Sequence, residues 1–166
     1  MLATTAVSIT ATKPSFSKGV DYMAIEVRNV TLPYNIRLSY DNEPFYKAAH
    51  EEGKFMIQKC ADCGQYYWPA AFLCPHCGSA NVEWTEVSGH GKLYSKVHAG
   101  YPFTKPLAEF PPYGLCSVVL DEGPRVFGRL VGYENIEDVP YDAPVHLVWL
   151  RDEEKGITIM GWELDA

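Results

Sequence analysis

The chain contains 166 residues, of which 47% are hydrophobic, and this is enough apolar material for one domain or two small ones. It has no apolar run of about 18 residues, the length that a membrane-spanning helix needs, so we predict no membrane association. The whole formal net charge of −7 comes from residues 101–166, which contain five basic and twelve acidic side chains. This excess of acidic side chains argues against a phosphate-binding surface in that part of the chain.

The N-terminal 53 residues divide into two parts. Residues 1–30 show no hydrophobic period and no basic segment before an apolar stretch, so we predict a flexible arm rather than a secretory signal. Residues 31–53 are predicted to form an extended segment, favoured by Pro33, and then a helix that Asp41 or Asn42 begins and Gly53 ends. The pattern leaves open whether this helix packs on its own domain or faces a partner.

Four of the five cysteines form two pairs with the same spacing, Cys60 with Cys63 and Cys74 with Cys77. Each Cys-x2-Cys pair presents two sulfurs to one ion through a tight turn, and two such turns complete the tetrahedron of thiolates that zinc favours. Because four protein ligands leave no position for a water nucleophile, we predict a structural zinc ion. Two disulfides, a redox pair and an iron–thiolate centre are the alternatives. Reduced cysteines with metal-binding spacing also favour a cytoplasmic location.

Short strands flank the cysteine pairs, and we predict a zinc ribbon for residues 54–81. A unit this small buries little apolar surface, so the metal is expected to supply most of its folding free energy. The aromatic side chains of Tyr67, Trp68 and Phe72 either cover the metal site or form an exposed face that a ligand or partner contacts.

Residues 82–166 alternate apolar and polar side chains in short strands separated by turns. We predict a Greek-key barrel of the OB type, which the sequence alone does not distinguish from an SH3-like barrel. A loop over residues 100–112 contains four prolines and three aromatic residues, and loops of this length are often functional. The fifth cysteine, Cys116, lies in an apolar strand and is predicted to be a buried thiol.

Several short motifs follow one another in a fixed order along residues 30–164. They are Glu43-Pro-Phe-Tyr46, the first cysteine pair followed by Gly64, Cys74-Pro-His-Cys-Gly-Ser79, Trp84-Thr-Glu-Val-Ser-Gly-His-Gly-Lys-Leu-Tyr-Ser95, Pro111-Pro-Tyr113, Leu120-Asp-Glu-Gly123 and Phe127-Gly-Arg-Leu130. In this order the chain resembles the DUF35 family. The resemblance implies a mainly β protein with an N-terminal helical arm, a rubredoxin-like zinc ribbon and a C-terminal OB-fold barrel that is associated with acyl-CoA.

The resemblance also implies an accessory subunit of a hetero-oligomer. Members of the family stand beside thiolase-fold enzymes, which carry the reactive cysteine and act on acyl-CoA thioesters. Thiolytic, acyl-transfer and aldol carbon–carbon bond chemistry all occur in such systems, with the breakdown of aromatic compounds and steroids as plausible settings. We predict no catalysis by this chain alone, because its sequence shows no nucleophile–base arrangement and no nucleotide-binding motif.

A CoA thioester presents phosphates, which bind Arg or Lys, and a pantetheine arm, which fits an apolar slot. The side chains of residues 54–166 that could supply these contacts are either cationic or aromatic. They are Trp68, Lys92, Lys96, Tyr101, Phe103, Lys105, Arg125 and Arg129. For each cation the alternative is a solvated surface position or an ion pair with the acidic C-terminal part.

Two other functions remain open from the sequence. OB folds bind single-stranded nucleic acids through basic grooves and stacked aromatic residues, but the acidic C-terminal part disfavours this reading here. A stand-alone acyl-CoA carrier or hydrolase is the third possibility, which turnover of a thioester by the isolated chain would reveal.

Overall fold

The computed structural model describes residues 24–101 and 113–165, so most of the predicted arm and of the loop at residues 100–112 lies outside the described residues. The described part is mainly β, as predicted. Its strands are β1 (Val27–Asn29), β2 (Met56–Cys60), β3 (Tyr66–Tyr67), β4 (Val82–Glu86), β5 (His90–Ala99), β6 (Tyr113–Leu120), β7 (Arg125–Leu130), β8 (Pro144–Asp152) and β9 (Ile157–Leu164). Helix α1 (Glu43–Lys47) continues into a π-helical turn at Ala48–Glu52, and a 3₁₀ turn occupies Ile136–Asp138.

Five of the strands close into a barrel in the order β5-β6-β7-β9-β8-β5. Neighbours in this barrel are antiparallel except for β7 and β9, which run parallel and pair at Arg129–Gly161 and Leu130–Trp162. A five-stranded Greek-key barrel is the OB architecture, so the predicted fold class is confirmed. The sequence left open whether the barrel is of the OB or the SH3-like type. The short parallel pairing of β7 and β9, which we call the β7–β9 seam, favours the OB type.

The ribbon forms a second sheet of three antiparallel strands in the order β3-β2-β4. Strand β2 ends at Cys60, and β3 follows the first cysteine pair. Strand β4 lies beyond residue 81, where we placed the end of the ribbon, yet it pairs with β2 along its whole length. The chain enters the barrel through Val87, which is buried and donates its N–H to the carbonyl of Phe55.

The helix begins and ends where the sequence indicated. Asn42 precedes its first residue, and the π-helical turn stops at Gly53, whose φ of +69° lies in the left-handed region. Its buried side chains, Phe45, Ala48 and Ala49, belong to the same hydrophobic core as the barrel residues. Of the two readings of this helix, the structure therefore supports packing on its own domain.

The segment before the helix is fastened to the barrel through Asp152, although part of it fell within the predicted arm. Strand β1 pairs in parallel with β8. Asp152 is 3% exposed, and its carboxylate accepts the N–H groups of Leu32 at 2.8 Å and Lys155 at 3.1 Å. The ammonium of Lys155 is 3.4 Å away and also donates to the Leu32 carbonyl. These contacts, the Leu32 N–H foremost, lower the pKa of Asp152.

This depressed pKa predicts how stability depends on pH. The contribution of Asp152 is complete above its unfolded-state pKa of about 3.9 and is lost as the pH falls through the lower folded-state pKa. Asp152→Asn should therefore lower the free energy of unfolding at neutral pH and weaken its decline below about pH 5, as urea unfolding at a series of pH values would measure. The matched control is Glu154→Gln, an exposed carboxylate of the same turn. Equal pH profiles for Asp152→Asn and the unmodified chain would contradict this role.

Candidate metal centre and ligand-binding surfaces

The two cysteine pairs form matching turns. After Cys60 the chain reverses so that Gly64 donates its N–H to the Cys60 carbonyl at 2.9 Å, and Gly78 makes the same bond to Cys74 at 2.8 Å. The φ angles of Gly64 and Gly78 are +74° and +75°, in the region where a side chain would be strained. Glycine after each pair is thus what allows both turns to close.

The four sulfurs of these turns converge on one point. All lie within 4.8 Å of one another, with 3.6 Å between the Sγ atoms of Cys60 and Cys77 and 3.7 Å between those of Cys63 and Cys74. A tetrahedral zinc ion with Zn–S bonds of about 2.3 Å implies sulfur separations of about 3.8 Å, so the donor set fits zinc. A disulfide needs about 2.05 Å, and the thiols are not placed for one.

Backbone N–H groups point at the sulfurs. His76 donates its N–H to the Sγ of Cys74 at 3.4 Å. The pKa of Cys60 is lowered to about 7, chiefly because the backbone N–H of Cys63 stabilises its thiolate. The pKa of Cys77 is raised instead, to about 12, because its contact with the Cys60 sulfur and its burial outweigh the N–H of Ser79. The protein alone thus favours the thiolate of Cys60, and a cation shared by the four sulfurs would be needed to stabilise the other thiolates.

Asp62 joins the two turns to each other. Its carboxylate accepts hydrogen bonds from the Ser79 hydroxyl and, at 2.9 Å, from the Asn81 side chain, and these bonds lower its pKa. The carbonyl of Asn81 in turn accepts the N–H of Ala61 at 2.9 Å. Hydrogen bonds within the protein therefore hold the two turns in register, in addition to any metal ion that their four sulfurs would share.

The aromatic residues of the ribbon divide between the two roles considered for them. Tyr67 is buried against Cys60 and Cys74, and this burial, with the nearby thiols adding to it, raises its pKa to about 12. Trp68 packs on Phe45 of α1, with 4.7 Å between ring centroids. Phe72, by contrast, is 67% exposed and stacks on Tyr40 at 5.9 Å. One ring thus packs against the cysteine cluster, one joins the ribbon to the helix, and one faces outward.

Cys116 is a buried thiol, as predicted. Its Sγ donates to the carbonyl of Gly128 at 3.7 Å, and burial raises the pKa of the thiol to about 12. A thiol held neutral in this way is a poor nucleophile.

In the part of the chain that the structure describes, no helix is long and apolar enough to cross a bilayer.

Lys96 is half-buried and is hydrogen-bonded to backbone carbonyls of its own chain. Its ammonium donates to the carbonyls of Ile136 and Val139, each at 2.5 Å, and to that of Glu137 at 3.1 Å. The cation therefore satisfies the end of the 3₁₀ turn, which leaves it little capacity for a phosphate.

Lys92 and Arg125 lie on the outside of β5 and β7. Arg125 stacks over the ring of Tyr94 at 3.6 Å. Lys92 lines a hollow of about 370 Å³ together with Asp121 and Asp142, whose carboxylates oppose the approach of an anion. Tyr101 is exposed, whereas Phe103 and Lys105 lie outside the described residues.

Arg129 lines a cleft that is larger and more apolar than the hollow beside Lys92. The sequence did not predict this cleft. The cleft has a volume of about 440 Å³ and lies between the segment before α1, the helix itself and the β7–β9 seam. Apart from Arg129 it is lined by Tyr34, Ile36, Phe45, Tyr46, Tyr113, Leu115, Cys116, Phe127, Gly128, Ile159 and Met160. The guanidinium of Arg129 lies over Tyr113 at 4.7 Å. Alternation in β7 was the available signal, because it puts Phe127 and Arg129 on the same face.

The outer surface of β5, β6 and β7 exposes large apolar side chains. Phe127 is 66% exposed, Val97 57%, Tyr94 52% and Leu115 38%. The register pairs Val97 with Leu115 and Leu115 with Arg129, and it pairs Ser95 with Ser117 and Ser117 with Phe127. We call Tyr94, Val97, Leu115 and Phe127 the outer barrel face. They lie on three neighbouring strands, with Arg125 and Arg129 on the same strand as Phe127.

A four-cysteine ribbon joined to an OB barrel defines the class of this protein, and family models match both parts. The model described as "ChsH2, rubredoxin-like zinc ribbon domain" matches residues 48–83, and "ChsH2, C-terminal OB-fold domain" matches residues 84–150. A DUF35 domain-containing scaffold protein of Methanocaldococcus jannaschii is 34% identical over 101 residues, covering 59% of this chain and 69% of the relative. The chain belongs to the DUF35 family.

A solved structure and two further relatives are also similar. The structure of the "Ltp2-ChsH2(DUF35) aldolase" has a TM-score of 0.68 and 31% identity, covering 78% of this chain and 98% of that one. A probable enoyl-CoA hydratase alpha subunit of Thermomonospora curvata is 35% identical over 114 residues, or 69% of this chain, which spans 34% of that relative's length. The benzoylsuccinyl-CoA thiolase subunit BbsA of Thauera aromatica is 26% identical over 105 residues, 63% of this chain and 71% of the relative.

Proposed function

We propose that this chain is a non-catalytic subunit of a hetero-oligomer, in which it supports a thiolase-fold enzyme acting on acyl-CoA thioesters. The observation that carries the proposal is the outer barrel face. The names of the relatives, among them a scaffold protein, a thiolase subunit and a DUF35-containing aldolase, support it. The reaction of the partner is thiolytic, acyl transfer or aldol cleavage.

The outer barrel face has the character of a subunit interface. Large exposed apolar patches with polar margins are uncommon on monomers and mark interaction sites. Burying one side chain such as Phe127 is worth about 2 kcal/mol. Arg125 stacked on Tyr94 adds two residue types that are enriched in interface hot spots. A second apolar contact is offered at the ribbon, where Phe72 and Tyr40 form an exposed stacked pair.

We further propose that Cys60, Cys63, Cys74 and Cys77 bind zinc as a structural ion. All four positions of a tetrahedral ion are filled by sulfur, so the metal would not activate water. Its role is to hold the two turns, and with them the segment from β3 to Phe72, in one arrangement against α1.

The zinc site predicts a specific loss on substitution. Cys60→Ser should remove stoichiometric zinc and destabilise residues 54–84, because the binding energy of a structural zinc ion is folding energy. Metal analysis together with hydrogen exchange would measure both effects. Cys116→Ser is the matched control and should retain zinc, because this thiol lies in the barrel. Unchanged zinc content in Cys60→Ser would refute the four-thiolate site.

The subunit role predicts the effect of a charge on the outer barrel face. Phe127→Asp should weaken co-purification with a thiolase-fold enzyme at least tenfold, since an unpaired carboxylate would be buried in the interface. Affinity purification of the tagged chain from its native cell, with the partner identified by mass spectrometry, provides the assay. Val27→Asp, also exposed but in β1, should leave the complex intact. Capture of no thiolase-fold chain by the unmodified protein would sink the proposal.

Single-strand nucleic acid binding remains the competing function, and one observation favours it. Tyr94 with Arg125 and Tyr113 with Arg129 place aromatic and cationic groups on strands β5 to β7, where OB folds bind oligonucleotides. The acidic residues that dominate beyond residue 100 act against it. Tight, salt-sensitive binding of single-stranded DNA in the absence of any thiolase-fold partner would favour this function over the subunit role.

A further inference from the structure

Two histidines face each other across strands β5 and β8. The register places His90 opposite His146, and the centroids of their imidazole rings are 6.5 Å apart. Strand β9 in turn places Glu163 opposite His146. Directly paired residues project from the same face of a sheet, so these three side chains form one row across three strands. His90 is exposed, and the side chains of His146 and Glu163 are 32% and 23% exposed, so solvent reaches the row.

The two ring nitrogens of His146 have different surroundings. Nδ1 lies 2.7 Å from the Asp165 carboxylate, and because an ionised carboxylate only accepts hydrogen bonds, Nδ1 carries the proton. In the neutral imidazole Nε2 then has a lone pair. Nε2 lies 3.7 Å from Oε2 of Glu163, which is too long for a hydrogen bond. Two electron-rich atoms at this distance repel each other unless a positive charge lies between them.

The separation of these two atoms fits a shared metal ion. A dication bonded to nitrogen and oxygen at about 2.1 Å holds them about 3.0–3.4 Å apart, close to the 3.7 Å between Nε2 of His146 and Oε2 of Glu163. Two imidazoles on one tetrahedral ion have centroids about 5 Å apart, so His90 reaches the ion after a rotation about its side-chain bonds. Exposed side chains make such rotations within nanoseconds.

The neighbouring side chains hold both of the closer ligands in place. Histidines that bind metals commonly donate their other ring N–H to a carboxylate, which fixes the tautomer and raises the basicity of the ligating nitrogen. The contact of His146 Nδ1 with Asp165 has this form. Arg28 fixes Glu163 through contacts of 2.5 Å and 3.3 Å to its two oxygens. A carboxylate has about four lone-pair sites, so Glu163 can bind an ion as well.

The charges beside the row favour a cation. Arg28 also pairs with Glu26 at 2.7 Å, so the contacts link the carboxylates of Glu26, Glu163 and Asp165 to one guanidinium. With His146 neutral, these linked groups carry three negative charges and one positive charge. A divalent ion would balance the difference.

We propose that His90, His146 and Glu163 bind a divalent transition-metal ion such as zinc, with Asp165 as the positioning residue of His146. Imidazole and carboxylate are both zinc ligands. Three protein ligands leave one position for water or an outside group, unlike the four-cysteine site. The inference goes beyond the proposed function and does not depend on it.

Removal of one ligand at a time tests the site. The untagged full chain, its cysteines already loaded with one zinc ion, would be titrated calorimetrically with Zn²⁺. One further ion should bind, and His146→Ala or His90→Ala should weaken its binding at least tenfold. His98→Ala is the matched control, because His98 is also an exposed histidine of β5 but pairs with Gly114. This variant should bind the second ion as the unmodified chain does.

Two further measurements test the orientation of His146. Asp165→Ala should weaken the second ion about tenfold, as loss of a carboxylate behind a ligating histidine does. Glu154→Ala removes an exposed carboxylate outside the row and should leave the affinity unchanged. In nitrogen-15 spectra, the second equivalent of Zn²⁺ should shift Nε2 of His146 while Nδ1 keeps its proton, which a purely structural role would not produce.

The contrary outcomes are equally specific. Failure of the unmodified chain to bind a second ion would overturn the proposal, as would equal loss of affinity in His98→Ala and His146→Ala. Protons on both nitrogens of His146 in the presence of excess Zn²⁺ would show an imidazolium in place of a metal ligand and would also overturn it. Co-purification with a thiolase-fold chain tests the subunit role separately.

Discussion

The arrangement of this protein depends on one buried ring, that of Phe45. It contacts Trp68 of the ribbon at 4.7 Å and Trp149 of the barrel at 6.1 Å between centroids, and Phe55 lies 6.2 Å away. Phe55 in turn meets Trp149 and Trp162. Removing a ring from such a cluster costs about 3–5 kcal/mol, a large part of the stability of a domain. Helix, ribbon and barrel are thus fixed to one another through shared aromatic packing.

This packing explains why the ribbon would need a neighbour as well as the proposed zinc ion. Its own buried cluster consists of Cys60, Tyr67 and Cys74, too little apolar surface to hold three short strands together. A metal ion bound by the four sulfurs would set the geometry of the two turns, and the contact of Trp68 with Phe45 joins the ribbon to α1. The proposed zinc ion would therefore also determine where the exposed Phe72–Tyr40 pair lies.

Local features of this fold were predictable from the sequence, and long-range ones were not. The convergence of the four thiols follows from Cys-x2-Cys spacing, and the ends of the helix follow from Asn42 and Gly53, all of which are encoded within a few residues. Closure of the barrel requires β7 to pair with β9 across the intervening β8, which alternation in either strand does not specify. The environment of Lys96 was not predictable either, because the Ile136 carbonyl that accepts its hydrogen bond lies 40 residues away in the sequence.

The cleft was not predictable from the sequence, because residues that are far apart along the chain line it. Phe45 lines the cleft and also carries the contact to Trp68. Trp162 packs against Gly128 and belongs to the same aromatic cluster through Phe55. Close-packed interiors transmit displacement rather than absorb it. A substitution of Phe45 would therefore disturb the lining of the cleft and the position of the ribbon together.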